Sequence, residues 1–479
     1  MKRFAIILLN NQWHGLNIDD HSESILHLPV SQDVTLVSSQ TADVIRSIKS
    51  MQGIKTLPDI IDLESFDKQM SQEGKEFRAD KKWKLLSFLK HYRVVGQDFK
   101  LSSATIKECL EAIAKVFLQL YEKDTEEKNR FEEIEKKINK VIYRRQLEGI
   151  KINAHIILEL CKSLEREIYR AKNNLQLKYN IYNPDSIDQQ RHYIEKCGYN
   201  LIKSTTFTFK ARRGDDEVCK MFYEIFRNQQ DLDSLLMMLS HWGGENRTNP
   251  TYHGFGTITS RITLREPGLQ NLRKANRVVI EADEGYNLLY IDYCQFEAGI
   301  LASISKDNNL INLYKKDIYR DLAREVIGDE TKRGDAKIIF YRYIYGDNSL
   351  SEHAKAYFHR FKKLEVFRDK VYNSIHSSSR IGTTKGNYRY RKNDEYTWAL
   401  SHLIQGTASL IYKQAVLRVA EDVQGADLLI PMHDGTLYQV ATGSYINVKE
   451  QIEQIYKDEF KKICPEIDVL VKCDERFHV

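Results

Sequence analysis

Proline is scarce, 7 in 479 residues, and neither a low-complexity tract nor a long uncharged apolar run interrupts the chain. The first shortage suits long helices, because an interior proline removes a hydrogen bond and clashes with the preceding turn. The second excludes a membrane span, which needs about 20 consecutive apolar residues. The 7 cysteines, at 109, 161, 197, 219, 294, 464 and 473, include no CxxC pair and no histidine at zinc spacing. Odd in number and irregular in spacing, they exclude a disulfide framework and predict free thiols in a reducing compartment. Net charge is small as well, +5 although 29% of residues are charged, so a nucleic-acid footprint must be a local stripe. The opening MKRFAIILLNNQWHG carries an apolar run too short for a signal peptide, with no small-residue cleavage site after it. It reads as a β-strand, and a cytoplasmic protein is expected.

At 42% hydrophobic, 479 residues exceed what one core serves, so at least two subdomains are expected. Residues 1–125 mix short strands (Phe4–Leu9, Val34–Ser38) with a helix over Thr105–Tyr121, which predicts a small α/β unit. From Glu126 to Lys178 the pattern is helical and charged, with one break at Glu148-Gly149. Such charge reads as a solvated face or as a basic surface tracking a phosphate backbone. Residues 203–225 carry Lys203, Lys210, Arg212, Arg213 and Lys220 among Thr and Phe, expected as a loop that contacts such a backbone or serves solubility. From about residue 241 glycine rises and strands alternate with helices.

The chemistry concentrates there. In RGDAKIIFYRYIYG, Arg333, Lys337, Tyr341 and Tyr345 recur every fourth residue. Each step drifts only about 40° around a helix, so all four share nearly one face. A guanidinium fork, an ammonium and two rings in axial order complement a nucleoside triphosphate; a solvated amphipathic helix is the plainer reading. Asp292 closes the apolar strand pattern Asn287–Asp292, at a strand's carboxyl end; by itself it could be a helix cap. Asp434 sits in LLIPMHDGTLYQV, which reads as a β-hairpin with the aspartate at its turn, ordinary for a turn by itself. Together, two strand-borne carboxylates and a triphosphate-gripping helix describe two-metal phosphoryl transfer, with Mg²⁺ ions about 3.5–4 Å apart.

In this order the motifs resemble DNA polymerases of family A, the bacterial polymerase I and phage replicative type, from about Ile134 onward. TSRITLREPGLQN (259–271) is similar to the family's primer and template segment, DYCQFE (292–297) to motif A, RGDAKIIFYRYIYG to motif B, and MHDG (432–435) to motif C. LIQGTAS (403–409) resembles the primer-side helix, RRQLEGIKIN (144–153) the start of a thumb, and NPDS (183–186) the thumb's next turn. The resemblance implies an α+β right-hand fold: an antiparallel palm sheet, helical fingers and a helical thumb. The expected bounds are a small N-terminal α/β domain at 1–125, a thumb at 126–245, palm at 246–310 and 400–479, and fingers at 311–399.

The same resemblance implies roles. Asp292, Asp434 and Tyr293 would form the metal set for two Mg²⁺ ions, with Mn²⁺ as a substitute, and Lys337 would join the two aspartates in catalysis. Arg333, Lys337, Tyr341, Tyr345, Glu297 and Gln295 would bind the nucleotide. Arg261, Gln270, Asn271, Gln405 and His433 would bind primer and template. Glu297 would fill the space of a ribose 2′-OH and bond Tyr345, selecting deoxynucleotides. Arg273 or Arg277 could assist the phosphates. Tyr319 stands where the family usually has His.

Other departures are Gly435 for the motif C glutamate, Arg342 for a small residue in motif B, and Ala298-Gly299 for a Leu-Arg pair. Ahead of the thumb the family commonly carries a 3′–5′ exonuclease; here Asp62-Leu-Glu64 is a weak match without later partner acids, so a degenerate or unrelated domain is expected. The implied partners are primer-template DNA and dNTPs, with a helicase, primase or clamp docking on the N-terminal domain and no membrane. The expected activity is DNA polymerisation without proofreading for a phage, plasmid or mobile element, or in repair, in a bacterial or phage-infected cell. A single-subunit RNA polymerase of related fold and a catalytically silent relative are the alternatives.

Overall fold

The computed structural model describes residues 2–28, 31, 33–51, 56–78, 80, 82–240, 246–475 and 477. The end of the expected thumb, 241–245, lies outside the described residues. The chain divides into two compact units: residues 1–148, 251–264 and 283–476, and residues 149–250, 265–282 and 477–479.

The first unit opens with a five-stranded sheet: β1 (Lys2–Leu9), β2 (Gln12–Asn17), β3 (Glu23–Leu26), β4 (Val34–Ser38) and β5 (Asp59–Asp62), in the order β3-β2-β1-β4-β5. β1 runs antiparallel to β2 and parallel to β4, which is parallel to β5. Helix Ile106–Tyr121 starts at a capping box, with Thr105 and Glu108 satisfying each other's backbone donors. Its apolar face meets a core in which the Phe66 ring lies 5.1 Å from Phe117 and 5.2 Å from Phe131. Asp62 caps helix Leu63–Met70 by accepting from the Ser65 amide at 3.0 Å and hydroxyl at 2.8 Å. Burial alone would raise its pKa, yet His253 and Ser65 hold the carboxyl down to about 2. Glu64 pairs with Lys68. The D-x-E is spent on local structure.

The charged stretch is helical, as its periodicity predicts, over Thr125–Arg130, a π turn at Phe131–Glu135, and Lys136–Glu148. Its charge is not all solvated, however. The side chains of Arg130 and Glu135 are 0% and 3% exposed, and with Lys413 and Ser260 they form a buried ionic cluster. Two buried cations share one carboxylate there, a pairing that a helical charge pattern does not distinguish from surface charge.

A four-stranded antiparallel sheet forms the rest of this unit's framework, ordered Ala426–Pro431, Gly435–Ala441, Tyr286–Tyr293, Val471–Asp474. Helix Ala399–Asp422 is buried on most of its surface, and helix Tyr445–Ile463 packs against it. Gly299 admits close packing: a Cβ there would fall 2.9 Å from the Tyr314 ring and 3.2 Å from Phe460.

The second unit is a helical body. Helices Ala154–Tyr179 and Glu217–Ser240 pack together, beside Ile187–Lys196 and Thr205–Arg212. The segment 203–225, expected as a loop, is therefore largely helical. Ser204 caps Thr205–Arg212, and Asp216 accepts from the Cys219 amide at 2.9 Å, so local caps turn its basic run into helix ends. None of the seven cysteines forms a disulfide. No helix among the described residues is long and apolar enough to cross a membrane.

Candidate active site

The site begins at the carboxyl end of strand Tyr286–Tyr293. Across the antiparallel ladder Asp292 pairs with Gly435, and the Tyr293 amide donates to the Asp434 carbonyl at 3.0 Å. The hairpin expected around Asp434 is present, closed by the Met432 amide donating to Gly435 at 2.7 Å. Asp292 thus ends its strand beside the turn that carries Asp434, although the two are 142 positions apart in the numbering. Gly435 has a steric reason: a Cβ there would lie 2.8 Å from Asp292 Oδ1 and 2.9 Å from its Cα, and closer still to the Ile291 carbonyl. Behind it, the hydroxyls of Tyr412, Thr436, Tyr456 and Tyr438 form a buried chain with spacings of 2.8, 2.8 and 3.1 Å.

Burial, and then the Asp434 charge, push the Asp292 carboxyl up to about 6, against the pull of Lys337. Asp434 Oδ1 is buried without a hydrogen-bond partner. Among the described residues no three His, Cys, Asp or Glu side chains cluster to hold a metal. A hard cation here would rest on two carboxylates plus main-chain and substrate oxygens, a set that suits Mg²⁺.

Helix Arg333–Ile344 carries Arg333, Lys337 and Tyr341 on one side, and Tyr345 ends it. Lys337 is close enough to Asp292 and Glu297 to lower both their pKa values, so this face looks toward the acids. The Lys337 ammonium lies 5.7 Å from the Tyr341 ring, which stacks on Tyr345 at 6.3 Å. Arg342 is drawn to Asp347 and Ser349 instead.

The sequence profile of DNA polymerase family A matches residues 159–477. The chain belongs to that family. It is 26% identical over 366 residues to DNA polymerase I of Aquifex aeolicus (strain VF5), a stretch covering 68% of this chain and 63% of that protein. It is 24% identical over 374 residues to DNA polymerase I of Helicobacter pylori (strain ATCC 700392 / 26695), covering 68% and 42%. The chain thus spans less than two thirds of the length of these relatives. Its fold matches the POL domain of Pol1 from M. smegmatis in complex with DNA primer-template and dNTP, with a TM-score of 0.72 at 16% identity, over 99% of this chain and 95% of that one. The family A fold is accordingly the α+β right hand, with a small N-terminal α/β region in front.

Within this family A site several expected contacts differ. Glu297 is buried, 2% exposed, and its Oε1 accepts from Arg261 Nη2 at 2.5 Å rather than from Tyr345. A guanidinium satisfies a buried carboxylate better than a neutral phenol does. Tyr345 instead accepts from Gln405 Nε2 at 2.5 Å. Burial, opposed by Arg261 and reinforced by Asp434, brings the Glu297 carboxyl up to about 7. The Tyr293 phenol points away from the acids, donating to the Tyr456 carbonyl at 2.7 Å and stacking on Phe296, so only its main chain could meet a metal. The Gln295 amide is spent on the backbone of Tyr314 and Ile318. His433 is exposed beside Asp434, near Arg261.

Gln270 and Asn271 lie on a 3₁₀ turn of the second unit and are not among the residues gathered in the first. In that second unit Arg273 pairs with Asp231, and Arg277 donates to the Leu272 carbonyl. Lys210, Arg213, Arg227 and Arg273 line a cleft there of about 460 Å³. Sequence reasoning missed the buried Arg130–Glu135–Lys413 cluster and the partner of Glu297. Arg261 was legible as a motif residue, but its carboxylate lies 36 positions away.

Proposed function

We propose that this chain is a template-directed DNA polymerase, adding deoxynucleotides to a primer 3′-OH by two-metal phosphoryl transfer. The reading rests above all on Asp292 ending its strand opposite the turn that carries Asp434, with Lys337 near enough to Asp292 to act on it electrostatically. Their buried oxygens fit divalent cations, Mg²⁺ first and Mn²⁺ as a substitute. Two such ions, when bound, would lower the primer hydroxyl's pKa and neutralise the leaving pyrophosphate. The protein's own part is positional and electrostatic. Asp292 and Asp434 hold the ions, while Arg333 and Lys337 grip the triphosphate and offset its developing charge. Tyr341 packs on the nascent base pair, and Tyr345 is oriented by Gln405. Glu297, clamped by Arg261, occupies the volume a 2′-OH would need.

On this reading the segments 126–245, 246–310 with 400–479, and 311–399 act as thumb, palm and fingers around primer-template DNA. Gln270, Asn271 and the basic cleft of the second unit contact the duplex backbone. The N-terminal domain lacks proofreading, since Asp62 and Glu64 are engaged in a helix cap and an ion pair. It is instead a docking platform for a helicase, primase or clamp, in phage, plasmid or mobile-element replication or in repair.

Primer extension with Mg²⁺ tests this, offering dNTPs or rNTPs on matched and 3′-mismatched primers. Extension with dNTPs, without mismatch removal, is the expected result, and Asp434→Asn should lower the rate at least about 100-fold. Undiminished extension by that variant would refute the catalytic assignment. A preference for rNTPs would support the RNA polymerase reading instead.

A further inference from the structure

Arg333 opens its helix, and the segment before it holds its guanidinium on two sides. Nε donates to Asp317 Oδ2 at 2.7 Å, and the guanidinium carbon lies 5.0 Å from the centre of the Tyr319 ring. Asp317 is the one carboxylate that Arg333 meets among the described residues, and it meets Nε, leaving Nη1 and Nη2 uncommitted. Tyr319 is a fixed platform: it is 1% exposed, and its ring meets Phe340 edge-on with the centres 5.4 Å apart. The other oxygen of Asp317, Oδ1, caps helix Ile318–Leu322 through the amides of Tyr319 at 3.1 Å and Arg320 at 3.4 Å. The turn is pinned from the catalytic strand's side as well. Gln295, three positions beyond Asp292, donates to the Tyr314 carbonyl at 3.2 Å and accepts from the Ile318 amide at 2.9 Å.

A freely turning arginine loses rotamer entropy when it binds a phosphate, and it can present its nitrogens in many directions. One anchored through Nε has spent that entropy already and offers its two terminal nitrogens as a parallel fork, matched to two phosphate oxygens. We propose that Asp317 is a positioning residue for the incoming nucleotide: it fixes Arg333 by Nε so that the Nη1/Nη2 fork faces the triphosphate. The inference rests on the polymerase reading above, in which Arg333 grips phosphate. Through Gln295 the same turn ties the phosphate grip to the strand that carries Asp292, so Arg333 and that carboxylate share one frame.

Asp317→Asn separates the two duties of the side chain. The amide oxygen keeps the helix cap, and the amide nitrogen replaces the oxygen that anchors Nε. Single-nucleotide extension at saturating primer-template should then give a KM for dNTP raised about tenfold, with kcat within about twofold and unchanged DNA affinity. In an Arg333→Ala background the same substitution should change nothing further. Titration with inorganic tripolyphosphate gives a readout without catalysis, and its Kd should also rise about tenfold. Equal or tighter tripolyphosphate binding by Asp317→Asn would overturn the proposal, and so would an equal loss with and without Arg333. A wild-type protein that binds tripolyphosphate through Asp317 and Arg333 but extends no primer would sink the polymerase reading and leave this inference standing.

Discussion

Replacing Glu135 by Gln should be among the most damaging single changes away from the active site. Glu135 accepts from Arg130 Nε at 3.0 Å and from Lys413 Nζ at 2.5 Å, and both cationic side chains are 0% exposed. Ser260 Oγ, 2.9 Å from each cation, is a neutral acceptor and cannot replace the lost charge. Breaking a buried ion pair by neutralising one partner costs about 3–5 kcal/mol, because the other charge stays buried. Even with Glu135 in place, burial holds the Lys413 ammonium down at about 8, with Glu135 opposing the shift and Arg130 adding to it.

That value determines how the loss varies with pH. Between about 8 and the ordinary lysine value near 10.5, the unfolded chain binds a proton that the folded chain has released, so Lys413 adds stability as pH rises. Glu135→Gln lowers the folded value further and widens this window downward. By about pH 9.5 both folded proteins hold Lys413 neutral, and the Glu135–Lys413 part of the loss disappears, leaving the Arg130 part. Urea unfolding followed by circular dichroism at pH 7 and 9.5 reads both numbers. A loss below about 1 kcal/mol at pH 7, or one that does not shrink at pH 9.5, would refute the assignment of these charges as buried and coupled.

His402 donates Nε2–H to the Asn387 carbonyl at 2.9 Å, and burial first of all pushes its pKa down to about 4. Stability should therefore fall by up to about 3 kcal/mol as pH drops from about 6.5 to 4, and acid titration of His402→Gln should lack that step. Gly435→Ala should cost about 1–3 kcal/mol in chemical denaturation and also depress primer extension, because the new Cβ meets the Ile291 carbonyl and Asp292. Glu297→Ala should relax sugar discrimination about 100-fold in competition between rNTPs and dNTPs, and should also lower the melting temperature, because it removes the buried carboxylate that pairs with Arg261.

The chain's local chemistry was legible without coordinates. A continuous apolar run marked Asn287–Asp292 within the strand Tyr286–Tyr293, the turn residues marked the hairpin at Asp434, and a four-residue period marked the face of Arg333, Lys337 and Tyr341. The break after Glu148 and the helix ending at Tyr121 were equally readable. All of these follow from torsions and side chains within a few residues of one another. The partners of polar and charged groups were not readable. Tertiary structure assigned Arg261 to Glu297, Gln405 to Tyr345, Asp317 to Arg333, and the buried cations Arg130 and Lys413 to Glu135. Desolvation selects such pairs, and how much water each charge loses depends on segments far apart in the chain that meet only after folding.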